Sequence, residues 1–179
     1  TSMSSPQVAG MVALVKQYLQ EQDIHVSGLN ERGLTQALLM STAEPMHNGS
    51  NGNYYSVFQQ GAGLANVSAV LRTRAYLTVD GAADGRVKVE LGDDPTRTGV
   101  YTFRLQLNNL TQEPLAYQLY ADAFTQNVFQ DEAGNACLDT LTRTLEADVD
   151  FAVNGASLSA PSDRNANFDF NGDGRVTRA

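Results

Sequence analysis

The chain has 179 residues, enough for one ordinary domain or two small ones. Hydrophobic residues make up 42% and charged residues 18%, a composition typical of a folded globular chain. The net charge of −8 disfavours nucleic acid and anionic membrane surfaces as partners, because both require a basic protein surface. The single cysteine, Cys137, excludes an intramolecular disulfide and a metal site built from several cysteines.

The first part of the sequence carries helical patterns. Apolar residues recur at helical spacing over residues 4–22 and lie on both sides of that helix, so we expect it to be buried on both sides. A second helical pattern covers residues 31–43, with Asn30 or Ser27 as its cap. A short third helix is expected through residues 69–71. No apolar run approaches the roughly 18 residues of a membrane span.

After residue 74 the apolar pattern changes to strict alternation, which indicates strands with one buried face and one wet face. The alternating runs are residues 87–91, 101–107, 115–119 and 149–153, with weaker runs at 76–80, 128–130 and 138–145. Their number approaches that of a small antiparallel β-sandwich. Tyr117 and Tyr120 are interpreted as strand residues and not as a ligand platform.

A serine-containing motif opens the chain, with the sequence TSMSSPQVAG over residues 1–10. It resembles the segment around the nucleophilic serine of the subtilisin-like serine proteases, in which that serine precedes a long buried helix. The sequence LTQALLMSTA over residues 34–43 is similar to the next helix of that family. The sequence QGAGLAN over residues 60–66 resembles the turn that closes its catalytic domain.

The resemblance implies that Ser2 is the nucleophile of a peptidase. A serine at a helix N-terminus lies where unpaired N–H groups and the helix dipole stabilise an oxyanion. Taken alone, Ser2 is also compatible with an ordinary helix cap. In the family's order the histidine, the orienting acid and the oxyanion-hole asparagine all precede the serine. We therefore expect the chain to be a fragment that lacks protease activity by itself.

The other polar residues of the first part receive structural interpretations. His25 lies between two helical patterns and His47 lies beside a loop rich in Asn and Gly, so both are predicted to be surface histidines. Asn30 and Asn48 are not expected to take the oxyanion-hole role, because the family's asparagine lies upstream.

A β-sandwich directly after such a segment resembles the fibronectin type III-like module of the large cell-envelope subtilisin-like proteinases of Gram-positive bacteria, the lactocepin type. The resemblance implies a protein that is secreted or attached to the cell wall. It also implies a module that braces the catalytic domain, although a simple spacer is an equally open interpretation.

The last residues carry a second chemical pattern, DFNGDGRVT over residues 169–177. Oxygen side chains at loop positions 1, 3, 5 and 9, with glycine at position 6, are typical of an EF-hand or dockerin-type calcium loop. The predicted calcium ligands are Asp169, Asn171, Asp173, the Arg175 carbonyl and Thr177. The bidentate acid of position 12 would follow Ala179, so we expect half a site here, and a polar turn is the alternative.

The expected fold class is α+β. It comprises the helical C-terminal end of a subtilisin-like α/β catalytic domain over residues 1–74, a fibronectin type III-like antiparallel β-sandwich over 75–160 and a truncated calcium loop over 161–179. The expected function is part of a serine endopeptidase, and the alternative is a non-catalytic extracellular binding or scaffolding module. Expected partners are a protein or peptide substrate, an upstream catalytic-domain segment, calcium, and a second copy of the chain through the exposed first helix.

Overall fold

A computed structural model describes residues 2–46, 54–55, 57–82, 84–117, 124–144, 151–154 and 156–158. In chain order the described elements are α1 (Ser4–Glu21), α2 (Glu31–Ser41), α3 (Val57–Gln60), α4 (Val67–Arg72), β1 (Ala75–Val79), β2 (Leu105–Asn109), β3 (Phe124–Gln130), β4 (Ala136–Thr144), β5 (Phe151–Val153) and β6 (Ala156–Leu158). The mixture of helices and antiparallel strands confirms the α+β class. None of the described helices could span a lipid bilayer on its length and hydropathy.

The chain divides into two compact units. The first unit consists of Thr1–Glu44 and Ala65–Gln112, and the second consists of Pro45–Leu64 and Glu113–Ala179. The first unit therefore holds α1, α2, α4, β1 and β2. The predicted domain limits at residues 74 and 160 stay predictions.

The helices begin and end where their local chemistry requires. Asn30 is the cap of α2, since its Oδ1 accepts a hydrogen bond from the Gly33 N–H at 2.8 Å. Asn66 caps α4 in the same way through the Ala69 N–H at 3.1 Å. Helix α1 ends before Asp23, whose φ of +50° is incompatible with a continuing helix. The predicted helical segments are thus confirmed, with Asn30 as the cap of α2.

The core of the first unit lies where α1, α2, α4 and β1 meet. Its buried residues are Val15, Leu19, Leu34, Ala37, Leu38, Leu39, Val70 and Tyr76. Most of them come from α1, α2 and α4, and Tyr76 comes from β1. Burial of these side chains is the main stabilising contribution to the unit.

Helix α1 is buried along one side, and the expectation of burial on both sides is wrong for the described structure. Only Val15 and Leu19 are buried within α1. On the other side Ala9, Ala13 and Leu14 are all exposed, Leu14 to 56%. Val8, which lies in the same helical row as Val15 and Leu19, is 44% exposed because burial is confined to the C-terminal half of α1. A Cβ added to Gly10 would meet no atom within 4 Å, so no neighbouring element approaches closely there. Within the first unit α1 packs against α2 and α4, which both lie on its buried side.

The strands pair antiparallel, as predicted. Strand β1 pairs with β2 from Ala75 opposite Asn109 to Val79 opposite Leu105. Strand β3 pairs with β4 through an irregularity between Gln126 and Val128, and β5 pairs with β6. The described strands form three separate two-stranded sheets, so a sandwich is not seen among them.

Three predicted strands differ from the structure. In the run over 115–119, residues 115–117 have no regular secondary structure and the last two residues lie outside the described residues. Residues 87–91 have no regular secondary structure, and the run over 101–107 becomes a strand only from Leu105. Near the end of β1, one backbone hydrogen bond reaches the residue before 87–91 and another reaches the run over 101–107. The Val79 N–H donates to the Arg86 carbonyl at 2.7 Å, and the Asp80 N–H donates to the Arg104 carbonyl at 3.1 Å. Alternation specifies which face a strand would bury, but it does not supply the partner that makes the strand.

Thr35 allows a test of the core. Its hydroxyl is buried and has no hydrogen-bond partner among the described residues, whereas the Thr42 hydroxyl donates to the Leu38 carbonyl at 2.9 Å. We expect Thr35→Val to raise the free energy of unfolding by about 1 kcal/mol, because it removes an unpaired buried hydroxyl without changing shape. The matched Thr42→Val should give no gain. Urea denaturation measures both, and equal effects of the two variants would contradict the prediction.

Candidate functional site

Ser2 lies just before the first turn of α1, and its side chain is exposed. Met3 occupies the cap position with φ −89° and ψ −28°, and no side chain caps the helix. The first turn also contains no acidic residue. The positive end of the α1 dipole beside Ser2 is therefore not offset by a side-chain cap or by an acid within that turn, which is a favourable place for a developing negative charge.

The residues that follow Ser2 leave the start of α1 open to solvent. Met3, Ser4 and Ser5 are all exposed. Pro6 lies in the first turn, where its missing N–H costs no helical hydrogen bond. The sequence thus builds an open helix start that carries an accessible hydroxyl.

The one histidine among the described residues does not serve Ser2. His25 lies beyond the opposite end of α1, whose 18 residues span about 27 Å at 1.5 Å per residue. The His25 Nε2 lies 3.2 Å from Asp23 Oδ1, and the two side chains are 78% and 94% exposed. His25 is therefore a surface histidine, as predicted. His47 lies outside the described residues.

The remaining predicted site residues separate into two groups. Asn30 is engaged as the cap of α2. Asn48 and the proposed calcium ligands, residues 169–177, lie outside the described residues. Across the described ranges, no group of three His, Cys, Asp or Glu side chains is placed to hold a metal ion.

A cleft of about 270 Å³ in the first unit is unrelated to Ser2. It is lined by Tyr18 and Leu19 of α1, Val70 of α4 and Leu110, among others. Tyr18 is 16 residues from Ser2, most of them helical, which corresponds to about 24 Å along α1. The cleft is therefore too far from the Ser2 hydroxyl to hold the scissile bond of a bound peptide.

Two loop aspartates have a lowered pKa that sequence reasoning missed. The Gly99 N–H donates to Asp94 Oδ2 at 2.6 Å and the Thr98 hydroxyl donates to the same oxygen at 3.1 Å, which lowers the pKa of Asp94. The Asn135 side chain and its N–H lower the pKa of Asp131 in the same way. Both aspartates organise turns, and an aspartate followed by Thr or Gly a few residues later is the signal for such a turn.

Comparison with known proteins gives a family match that begins at the serine motif. Residues 1–63 match the subtilase family, peptidase S8. Residues 1–63 are therefore a fragment of the subtilase family. The match contains the motif with Ser2, helices α1 and α2, and the turn over residues 60–63.

Particular relatives extend the similarity beyond residue 63. The chain is 32% identical over 173 residues to a PII-type proteinase of Lacticaseibacillus paracasei, which is 91% of this chain and 8% of that protein. It is 31% identical over 172 residues to the PII-type and PI-type proteinases of Lactococcus lactis subsp. cremoris. These alignments cover 90% of this chain and 8% of each relative. The chain thus spans about 8% of the length of the curated relatives it matches.

The Asp94 loop gives a prediction of pH dependence. Because the pKa of Asp94 is lowered in the folded chain, its contribution to loop stability is present above the ordinary pKa of 3.8 and is lost as the pH falls below that value. We expect the Gly99 amide signal in NMR to shift on acidification below this pH. Asp94→Ala should abolish that shift, whereas Asp93→Ala, which changes the neighbouring carboxylate, should preserve it. A titration that is unchanged in Asp94→Ala would contradict the assignment.

Proposed function

We propose that the chain is the C-terminal part of the catalytic domain of a serine endopeptidase, continued by a β-rich module, and that Ser2 is the nucleophile. The observation that carries the proposal is the family match over residues 1–63, which begins at this motif. The accessible hydroxyl of Ser2 beside the uncapped start of α1 supports the role chemically.

In the proposed reaction Ser2 Oγ attacks the carbonyl carbon of a peptide bond while a histidine outside this chain accepts its proton. An acidic residue, also outside this chain, orients that histidine. The oxyanion of the tetrahedral intermediate accepts hydrogen bonds from the Ser2 N–H and from an upstream asparagine. The same histidine then protonates the leaving amine, and water hydrolyses the acyl-enzyme to release the second product.

The β-rich part is proposed to form a fibronectin type III-like sandwich. In its first segment Tyr101, Phe103, Leu105 and Leu107 alternate along the chain and are between 37% and 51% exposed. An alternating apolar row of this size is typical of the inner face of a sandwich and normally lies against a second sheet. The proposed roles of the module are to brace the catalytic domain or to act as a spacer.

Two further proposals concern location and surroundings. By resemblance to cell-envelope proteinases, the parent protein is secreted or attached to the cell wall of a bacterium. The exposed surface of α1, which includes Val8 and Leu14, is proposed to be covered by the upstream catalytic-domain segment or by a second copy of the chain. Calcium is the proposed cofactor of residues 169–177.

The nucleophile proposal is tested with a fluorophosphonate probe in a longer protein that carries the family's upstream Asp and His. We expect rapid labelling of Ser2, and Ser2→Ala should remove the labelling and lower peptide hydrolysis by at least about 1,000-fold. Ser27→Ala, which changes an exposed serine between α1 and α2, should retain both. The 179-residue chain alone should react no faster than a free serine. Full activity of Ser2→Ala would instead favour the non-catalytic binding or scaffolding module.

The calcium proposal is tested independently by calorimetry and NMR on the 179-residue chain. We expect weak binding, with a Kd of about 10⁻³ M, because the loop lacks the position-12 acid. Asp169→Ala combined with Asp173→Ala should abolish it, whereas Asp163→Ala, outside the loop, should not. A glutamate appended after Ala179 should tighten binding at least about tenfold. No signal change in residues 169–177, with or without that glutamate, would refute the proposal.

A further inference from the structure

Gly85 lies directly against the first turn of α2. It is buried, its φ is +74°, and a Cβ at this position would overlap the Gly33 carbonyl oxygen. A Cβ on Gly33 would in turn lie 2.8 Å from the Asp84 carbonyl oxygen. The two backbones approach this closely because neither residue carries a side chain.

Ser41 makes a second contact, at the opposite end of α2. The Leu77 N–H donates to Ser41 Oγ at 2.9 Å, and the Ser41 hydroxyl lies 3.5 Å from the Leu77 carbonyl oxygen, to which it donates. Leu77 is opposite Leu107 in the antiparallel pair of β1 and β2. Its backbone groups point away from β2, and Ser41 occupies the place that a third strand would take.

The core joins these two contacts. Tyr76 of β1 is 3% exposed and belongs to the same buried cluster as Leu34 and Leu38 of α2. Val87 and Leu110 are half-buried and pack against that cluster from further along the segment. Residues on both sides of position 74 therefore share one core.

We propose that residues 75–112 are locked to α2 at the Gly33–Gly85 contact and at Ser41, and that they fold with α1, α2 and α4 as one cooperative unit. Strands β1 and β2, with the segment between them, are then attached rigidly to the helices that follow Ser2, with no flexible linker at residue 74. The proposal rests on packing within the first unit and does not depend on peptidase activity.

Glycine substitutions in the 179-residue chain test the lock. Gly81 has φ +75°, almost the same as Gly85, but a Cβ there would meet nothing within 4 Å. Gly81→Ala therefore introduces only backbone strain, and we expect its Tm to fall by about 2–6 °C. Gly85→Ala also forces Gly33 away, so its Tm should fall at least about twice as far. In Gly85→Ala, hydrogen exchange at the amides of α2, residues 31–41, should become at least about tenfold faster, whereas Gly81→Ala should leave it unchanged.

A second pair of variants keeps the test decisive if Gly85→Ala does not fold. Ser41→Ala removes the partner of Leu77, whereas Ser68→Ala makes the same change at an exposed position of α4. We expect Ser41→Ala to accelerate exchange both at Leu77 and throughout α2, and Ser68→Ala to change neither. The proposal is overturned if either test variant loosens residues 75–112 while α2 keeps its protection. Unfolding of residues 75–112 in a transition separate from that of α2 would also overturn it.

Discussion

The packing of α1 and α4 against α2 is the interaction on which the first unit depends. Leu19 of α1, Leu38 of α2 and Val70 of α4 are each at most 2% exposed, and they belong to one cluster. Because α2 also contacts β1, it is the element that the other parts of the unit share. Because the buried residues of α1 lie in its C-terminal half, Ser2 is at the exposed end of the helix.

Local signals were sufficient to predict the helices. Apolar spacing over residues 4–22 and the Asn30 cap led to α1 and α2 almost to the residue, because capping and periodicity are properties of adjacent positions. The strands were less predictable. The alternation over residues 87–91 has no strand in the structure, since pairing depends on a partner that is distant in sequence. The Gly33–Gly85 contact was missed for the same reason, as each glycine alone resembles an ordinary loop or helix residue.

At the candidate site, the sequence motif predicted the position of Ser2 but not the structure around it. The sequence placed Ser2 before a helix, and the structure adds that this helix start has no side-chain cap and no acid in its first turn. Burial on both sides of α1 was inferred from Ala9, Ala13 and Leu14, which lie opposite the first apolar row of the helix. These three residues are exposed, and the elements that pack against α1 in the first unit are α2 and α4.

The exposed start of α1 is separate from the residues that stabilise the helix. Val15, the first buried residue of α1, lies about 3.6 turns after Ser2 and about 1.4 turns after Gly10, the last residue of the exposed run 2–10. A substitution near Ser2 therefore leaves this core largely intact, whereas one at Leu19 alters folding. The exposed N-terminal half of α1 lies outside the core of the first unit, and its C-terminal half contributes to that core together with α2, α4 and β1.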